Sequence, residues 1–293
     1  MTMTMKTRPF KQVDVFTAKP YLGNPLAVVL DGSGLSTAEM QHFTNWTNLS
    51  EATFLLPPEH VGADYKARIF CPGRELPFAG HPTLGSCHAW LQAGGKPKST
   101  DFIVQECGVG LVRIKRDGER LAFAAPPRVR SGSLAEADVA LIAHGLGIAR
   151  SDILHHAWCD NGPKWRAVML ASSEQVLALK PDGHILAGLD VGVVGPRGEV
   201  GVLGATANGD DCAFEIRAFF HLIGGGVDED PVTGSLNAAV AQWLIGAGLA
   251  PSRYIASQGT ALGRLGRVYV QQEGDDIWTG GSSVTCVDGT VML

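Results

Sequence analysis

The sequence predicts an α+β protein of two similar domains, each holding one buried helix. Three observations predict it. The chain has 293 residues, enough for two domains at about 100–200 residues each. No Asp, Glu, Lys or Arg occurs between Glu75 and Lys96, or between Asp230 and Arg253. These two stretches also share one plan. Each has a Pro near its start (Pro82, Pro231), a body of small residues with one Trp (Trp90, Trp243), and closing glycines (Gly94 and Gly95; Gly246 and Gly248). Proline suits a first helical turn, and glycine suits the end of a helix. A helix without charge on any face belongs inside a domain. The longer stretch fails as a membrane span, because Pro231, Thr233, Ser235, Asn237 and Gln242 interrupt it.

Composition narrows the class. Hydrophobic residues make up 45% and charged residues 18%, which supports a sizeable core and excludes a disordered chain. The 37 glycines and the absence of Lys/Glu blocks exclude coiled coils and favour many strands. A net charge of −5 excludes a protein that wraps phosphate backbones. Six scattered cysteines (71, 87, 107, 159, 212, 286) make neither a CxxC pair nor a zinc spacing. They read as reduced, buried thiols of a cytoplasmic protein. The opening residues lack a signal-peptide pattern, and any of Met1, Met3 and Met5 can be the start.

Along the chain, 10–16 and 26–30 read as strands. Ser36-Thr-Ala-Glu39 is a capping box that opens a helix with Met40, Phe43 and Trp46 on one face. Strands 51–56 and 67–70 lead to the first uncharged helix, at 82–93. Ala125-Pro-Pro127 marks a domain junction, giving domains 1–127 and 128–293, with the last strand able to cross back to the first. Ser133-Leu-Ala-Glu136 is a second capping box, opening a helix that carries Leu134, Leu141 and Ile142. Strand 216–219 leads to the second uncharged helix, at 231–246, and strands 268–272 and 284–287 follow. Gly23-Asn-Pro-Leu-Ala-Val-Val29 is echoed by Asn161-Gly-Pro-Lys-Trp-Arg-Ala-Val168. The chain therefore reads as a diverged tandem duplication, with halves at 9–125 and 155–290 and a ligand cleft between them.

Several polar residues are candidates for chemistry. Glu51 opens an apolar strand. Turned inward it is a general base; turned outward it is a solvated strand-edge glutamate. His81 sits at the start of the first uncharged helix, where free N–H groups and the positive end of the dipole attract anions. Asp230 before Pro231 reads either as a plain N-cap or, with Ser235, as part of a second such site. Two of these termini would make a twin anion site flanked by His81, Asp230 and Ser235. His155, His156, Cys159 and Asp160 meet no standard metal spacing. The run 224–226 is glycine-rich but lacks the context of a nucleotide loop.

The chain resembles the phenazine-biosynthesis PhzF-like family, within the diaminopimelate epimerase/proline racemase fold. The resemblance rests on motifs in order. They are Val13-Asp-Val-Phe16, Gly23-Asn-Pro-Leu-Ala-Val28, Ser50-Glu-Ala-Thr-Phe54, Arg68-Ile-Phe70, Glu75-Leu-Pro-Phe-Ala-Gly-His-Pro-Thr83, Glu229-Asp-Pro-Val-Thr-Gly-Ser235, and Gln258-Gly259 with Arg264. It implies that each domain is a β-barrel-like sheet wrapped around a central helix. Racemases of this fold carry cysteines at the two helix starts, matched here by Ala79 and Thr233, so a two-thiol mechanism is disfavoured.

The PhzF branch is an isomerase, and its acid/base glutamate matches Glu51. The residues matching His81, Asp230 and Ser235 bind or polarise substrate, with the helix-opening Gly80 and Gly234. Asn24 matches an asparagine that contacts substrate in the related epimerases. The resemblance implies proton transfer of the type undergone by trans-2,3-dihydro-3-hydroxyanthranilate, on a small carboxylate-bearing substrate. It implies no metal or other cofactor, no membrane or nucleic-acid partner, and a homodimer. The rival readings are a racemase or epimerase of a small amino or hydroxy acid, and a non-catalytic small-molecule binding protein.

Overall fold

The computed structural model describes residues 5–198, 211–222 and 225–293. Met1, Met3 and Gly224 lie outside them. The elements in chain order are β1 (Thr7–Val15), β2 (Asn24–Val29), α1 (Thr37–Thr47), β3 (Glu51–Leu56), β4 (Tyr65–Cys71), β5 (Arg74–Leu76), α2 (Gly80–Gln92), β6 (Ile103–Cys107), β7 (Gly110–Asp117), β8 (Arg120–Ala124), α3 (Glu136–Leu146), β9 (His155–Cys159), β10 (Trp165–Met169), α4 (Ser173–Ala178), β11 (Val191–Pro196), β12 (Phe214–His221), β13 (Val227–Asp230), α5 (Gly234–Gly246), β14 (Arg253–Gln258), β15 (Gly266–Glu273), β16 (Asp276–Gly281) and β17 (Ser283–Met292). The chain divides into two compact units, one of residues 1–124 with 280–293, the other of residues 125–279. The last strand, β17, is part of the first unit, where it pairs along the whole of β1.

In the first unit β1 pairs with β17 and β2, both antiparallel, and β2 runs parallel to β3. β4 is antiparallel to β3 and β5 and parallel to β6; β7 joins β6 to β8 by antiparallel pairing. The second unit repeats this order. β9 and β10 are antiparallel, β10 and β11 parallel, β11 and β12 antiparallel. β12 takes β13 antiparallel and β14 parallel, and β14 takes β15 antiparallel. A short helix links the second and third strand of each repeat (α1, α4), and a buried helix follows the fifth (α2, α5). This shared connectivity is the duplication.

The sheet of the first unit wraps α2, which touches β1, β2, β3, β4, β6, β8 and β17. Close approach needs small residues. At Gly85 an added Cβ would lie 2.6 Å from Leu26 Cδ2, so the helix passes β2 without room for a side chain. In the second unit Gly192 of β11 does the same service, for its Cβ would meet Leu236 Cδ1 at 2.5 Å. Leu84 and Leu236 are fully buried on these helices, each contributing about 1.5–3 kcal/mol by burial.

Three sequence readings are corrected. The Ser36–Glu39 capping box forms, but the Ser133–Glu136 box does not. There α3 starts at Glu136 with Ala135 as N-cap, and the Glu136 carboxylate is bonded to Arg150 instead. Leu134 is buried ahead of that helix, while Leu141 is exposed on it. On α1, Met40 and Phe43 are buried, but Trp46 is exposed. The second buried helix starts at Gly234 rather than Pro231. No helix among the described residues is long and apolar enough to cross a membrane.

Candidate active site

In the first unit three predicted residues meet. Asn24 opens β2, Glu51 opens the parallel strand β3, and His81 is the second residue of α2. His81 Nε2 lies 3.4 Å from Glu51 Oε2. Asn24 Nδ2 lies 3.3 Å from His81 Nδ1. An amide nitrogen only donates, so Nδ1 is the acceptor; this assigns the ring proton to Nε2, facing Glu51. Burial lowers the His81 pKa from 6.5 to about 3. The ring is therefore neutral at pH 7, and its 3.4 Å approach to the Glu51 carboxylate is not an ion pair. The Glu51 side chain is 16% exposed and that of His81 3%, so the carboxylate is the more accessible of the two.

The loop that delivers Asn24 is tightly held. Asp14 is buried, and its Oδ2 accepts the N–H of Gly23 at 3.0 Å. A Cβ at Gly23 would sit 2.2 Å from the Val15 carbonyl oxygen. Phe16 and Tyr21 hold φ of 64° and 70°, uncommon for bulky residues. At the start of α2, Ala79 is an N-cap with no side-chain hydrogen bond to the helix. Pro82 supplies no N–H, which leaves Gly80 and His81 to present the first donors at the positive helix end.

The second unit carries the other predicted residues. Asp230 is not an N-cap. It ends β13, paired with Ala218, and Thr233 is the N-cap of α5. The Thr233 hydroxyl donates to Asp230 Oδ2 at 2.6 Å and does not cap the helix. Gly234 opens the helix. Ser235 follows, its Oγ accepting from Trp165 Nε1 at 3.1 Å and its carbonyl from Asn161 Nδ2 at 2.9 Å. Both buried helices thus begin without a side-chain cap, unlike α1 and α4, which are capped by Ser36 and Ser172.

Asn161, Trp165 and Gln258 contact the predicted residues and were given no role from sequence. The duplication held the signal for one of them. The Gly23-Asn-Pro echo includes Asn161, one position out of register with Asn24 when the prolines are aligned, and each asparagine contacts the second residue of its buried helix. Other sequence candidates have local duties. His156 Nδ1 accepts from the Leu134 N–H, and Asp160 Oδ1 from Gly162 and Lys164. Among the described residues no three His, Cys, Asp or Glu side chains are gathered as for a metal ion. Cys71 lies one residue beyond Phe70, the partner of Ala52, and the Glu51 charge adds to burial in raising its pKa.

A model of the family described as "Phenazine biosynthesis-like protein" matches residues 13–289. The chain belongs to this family. Antisense-enhancing sequence 1 of Schizosaccharomyces pombe is 36% identical over 99% of this chain and all of its own length. The trans-2,3-dihydro-3-hydroxyanthranilate isomerase of Pseudomonas aeruginosa is 32% identical over 89% of each chain. Among solved structures, a Bacillus anthracis phenazine biosynthesis protein of the PhzF family superposes with a TM-score of 0.78 at 22% identity, covering 99% of this chain and all of that one. Membership in the phenazine biosynthesis-like family makes the chain an enzyme of the isomerase class.

Proposed function

We propose that this enzyme is a cofactor-independent isomerase that moves a proton on a small carboxylate-bearing substrate, and that Glu51 is its base. Glu51 takes a proton from one carbon and returns it at another carbon of the same conjugated system, so the step needs no electron acceptor. Proton transfer by one positioned carboxylate is worth about 10²–10⁴ in rate. One observation carries the reading. The Glu51 carboxylate stands beside a neutral imidazole N–H and an uncapped helix start, while the two helix-start positions, Ala79 and Thr233, carry no thiol. A base and anion-stabilising donors are supplied together; the thiol pair of a racemase is not.

The remaining roles follow from residue chemistry. The first N–H groups at Gly80 and Gly234, with His81 and Ser235, bind negative charge, including charge that grows as the substrate delocalises. Asp230 holds or exchanges a proton on an amino or hydroxyl group. Asn24 fixes the His81 ring and contacts substrate. The named Pseudomonas relative makes trans-2,3-dihydro-3-hydroxyanthranilate the first substrate to try. The same reading takes the enzyme as a cytoplasmic homodimer. The test is solvent-deuterium incorporation across amino- and hydroxy-carboxylates, starting with that compound. Incorporation at carbon with conversion to an isomer is expected; ligands that bind without exchange would instead make the chain a binding protein.

A further inference from the structure

The side chain of Gln258, fully buried at the end of β14, uses its whole hydrogen-bonding capacity at the start of α5. Its Oε1 accepts from the Thr233 backbone N–H at 3.0 Å and from Asn237 Nδ2 at 2.7 Å. Its Nε2 donates to the Asp230 carbonyl and to Thr233 Oγ1, both at 3.0 Å. Main-chain partners fix the orientation of the amide, because the Thr233 N–H can only donate and the Asp230 carbonyl can only accept. Since Thr233 Oγ1 accepts from Gln258, its single proton is directed to Asp230 Oδ2. The conformation is built into the backbone as well. Gly259, the next residue, has φ +87°, and a Cβ there would lie 2.6 Å from the Pro231 carbonyl oxygen.

We infer that Gln258 and Thr233 are positioning residues that hold the Asp230 carboxylate in one orientation, with the Thr233 hydroxyl as a committed donor to it. Asp230 is the group that meets substrate in the proposed reaction, and the inference rests on that reading. It also assigns a use to residue 233 different from proton exchange with substrate. The hydroxyl proton is spent on Asp230, so this position orients the carboxylate instead of acting as an acid or base itself. Misplacing a reacting group by about 1 Å costs on the order of 10² in rate, which is the scale of effect a positioning residue can have.

The test compares Thr233→Val, Thr233→Ser and Gln258→Glu in the full chain. Valine is nearly isosteric with threonine and lacks the hydroxyl, serine keeps it, and glutamate at 258 cannot donate to Thr233 Oγ1. Thermal unfolding checks that each variant folds. With trans-2,3-dihydro-3-hydroxyanthranilate as probe, Thr233→Val should lose about 10- to 10²-fold in kcat with KM changed less than about threefold. Thr233→Ser should restore most of that loss, and Gln258→Glu should resemble the valine variant. An activity-free readout accompanies it. The Gln258 side-chain amide resonances should shift in Asp230→Asn and in Thr233→Val, and stay close to wild type in Thr233→Ser. Equal losses in the serine and valine variants would overturn the inference, as would amide resonances indifferent to Asp230→Asn. If the wild-type enzyme leaves the probe unchanged, the substrate assignment fails, while the amide resonances still decide the positioning role.

Discussion

Asn24 Nδ2 sits 3.3 Å from His81 Nδ1, and this contact determines which ring nitrogen faces Glu51. The amide donates, the ring accepts, and the remaining N–H is on Nε2, the ring nitrogen 3.4 Å from Glu51 Oε2. A histidine held this way is a fixed dipole and not a titrating switch, because burial has moved its pKa far below the working range.

That shift has a consequence for stability. Between about pH 6.5 and pH 3 the unfolded chain binds a proton at His81 that the folded chain refuses. The unfolded state then holds more protons, so stability falls as pH drops through this window, by about 1.4 kcal/mol per pH unit for one group. Above pH 6.5 the group contributes no slope. Urea unfolding at several pH values should show this extra slope in wild type and its loss in His81→Gln. Equal slopes in the two proteins would place the His81 pKa near its ordinary value.

Thiol reactivity gives a second check. Burial pushes Cys87 and Cys159 up to about 12, and burial together with the Glu51 charge raises Cys71. The thiolate is the reactive form, so all three should resist iodoacetamide near neutral pH in the folded protein. Peptide mass spectrometry should find Cys87 and Cys159 alkylated at least about 10²-fold more slowly than in the unfolded chain. Cys87→Ala should leave turnover within about twofold, since Cys87 is buried mid-helix away from the helix start.

A third prediction concerns the turn that supports Asp230. Gly259 and Gly274 both have positive φ, but only Gly259 faces backbone that a Cβ would strike. Gly274→Ala should cost about 1–2 kcal/mol, the left-handed penalty alone. Gly259→Ala should cost more by about 1–3 kcal/mol, because the Pro231 carbonyl and Arg264 must move. Urea midpoints of the two variants give the comparison; equal costs would mean the Asp230–Thr233 turn yields easily.

What the sequence revealed was local or repeated. The Ser36–Glu39 box depends on residues three apart, and it forms. Strand β3 begins at Glu51, as read from its apolar run. The buried helices were visible because charge is absent along their whole length. The Ser133–Glu136 box has the same letters but fails, since Arg150, fourteen positions away, takes the glutamate. Asp230 before Pro231 has the local look of a cap, yet pairing with β12 keeps it in a strand. Gln258 and Trp165 act through contacts more than 20 residues apart in sequence, which no local pattern encodes. The echoed motif points only to the neighbourhood of Asn161, since copying Asn24 in register on the proline lands on Gly162.

The central claim is that Glu51 carries the proton, and Glu51→Gln tests it. Glutamine keeps the size of glutamate and a carbonyl oxygen, but cannot act as a base at neutral pH. The measurement is solvent-deuterium wash-in at substrate carbon, wild type against Glu51→Gln, with ligand affinity measured in parallel. The account predicts that exchange falls by about 10²–10⁴ while affinity changes little. Exchange at the wild-type rate in Glu51→Gln would contradict it and move the base to another residue.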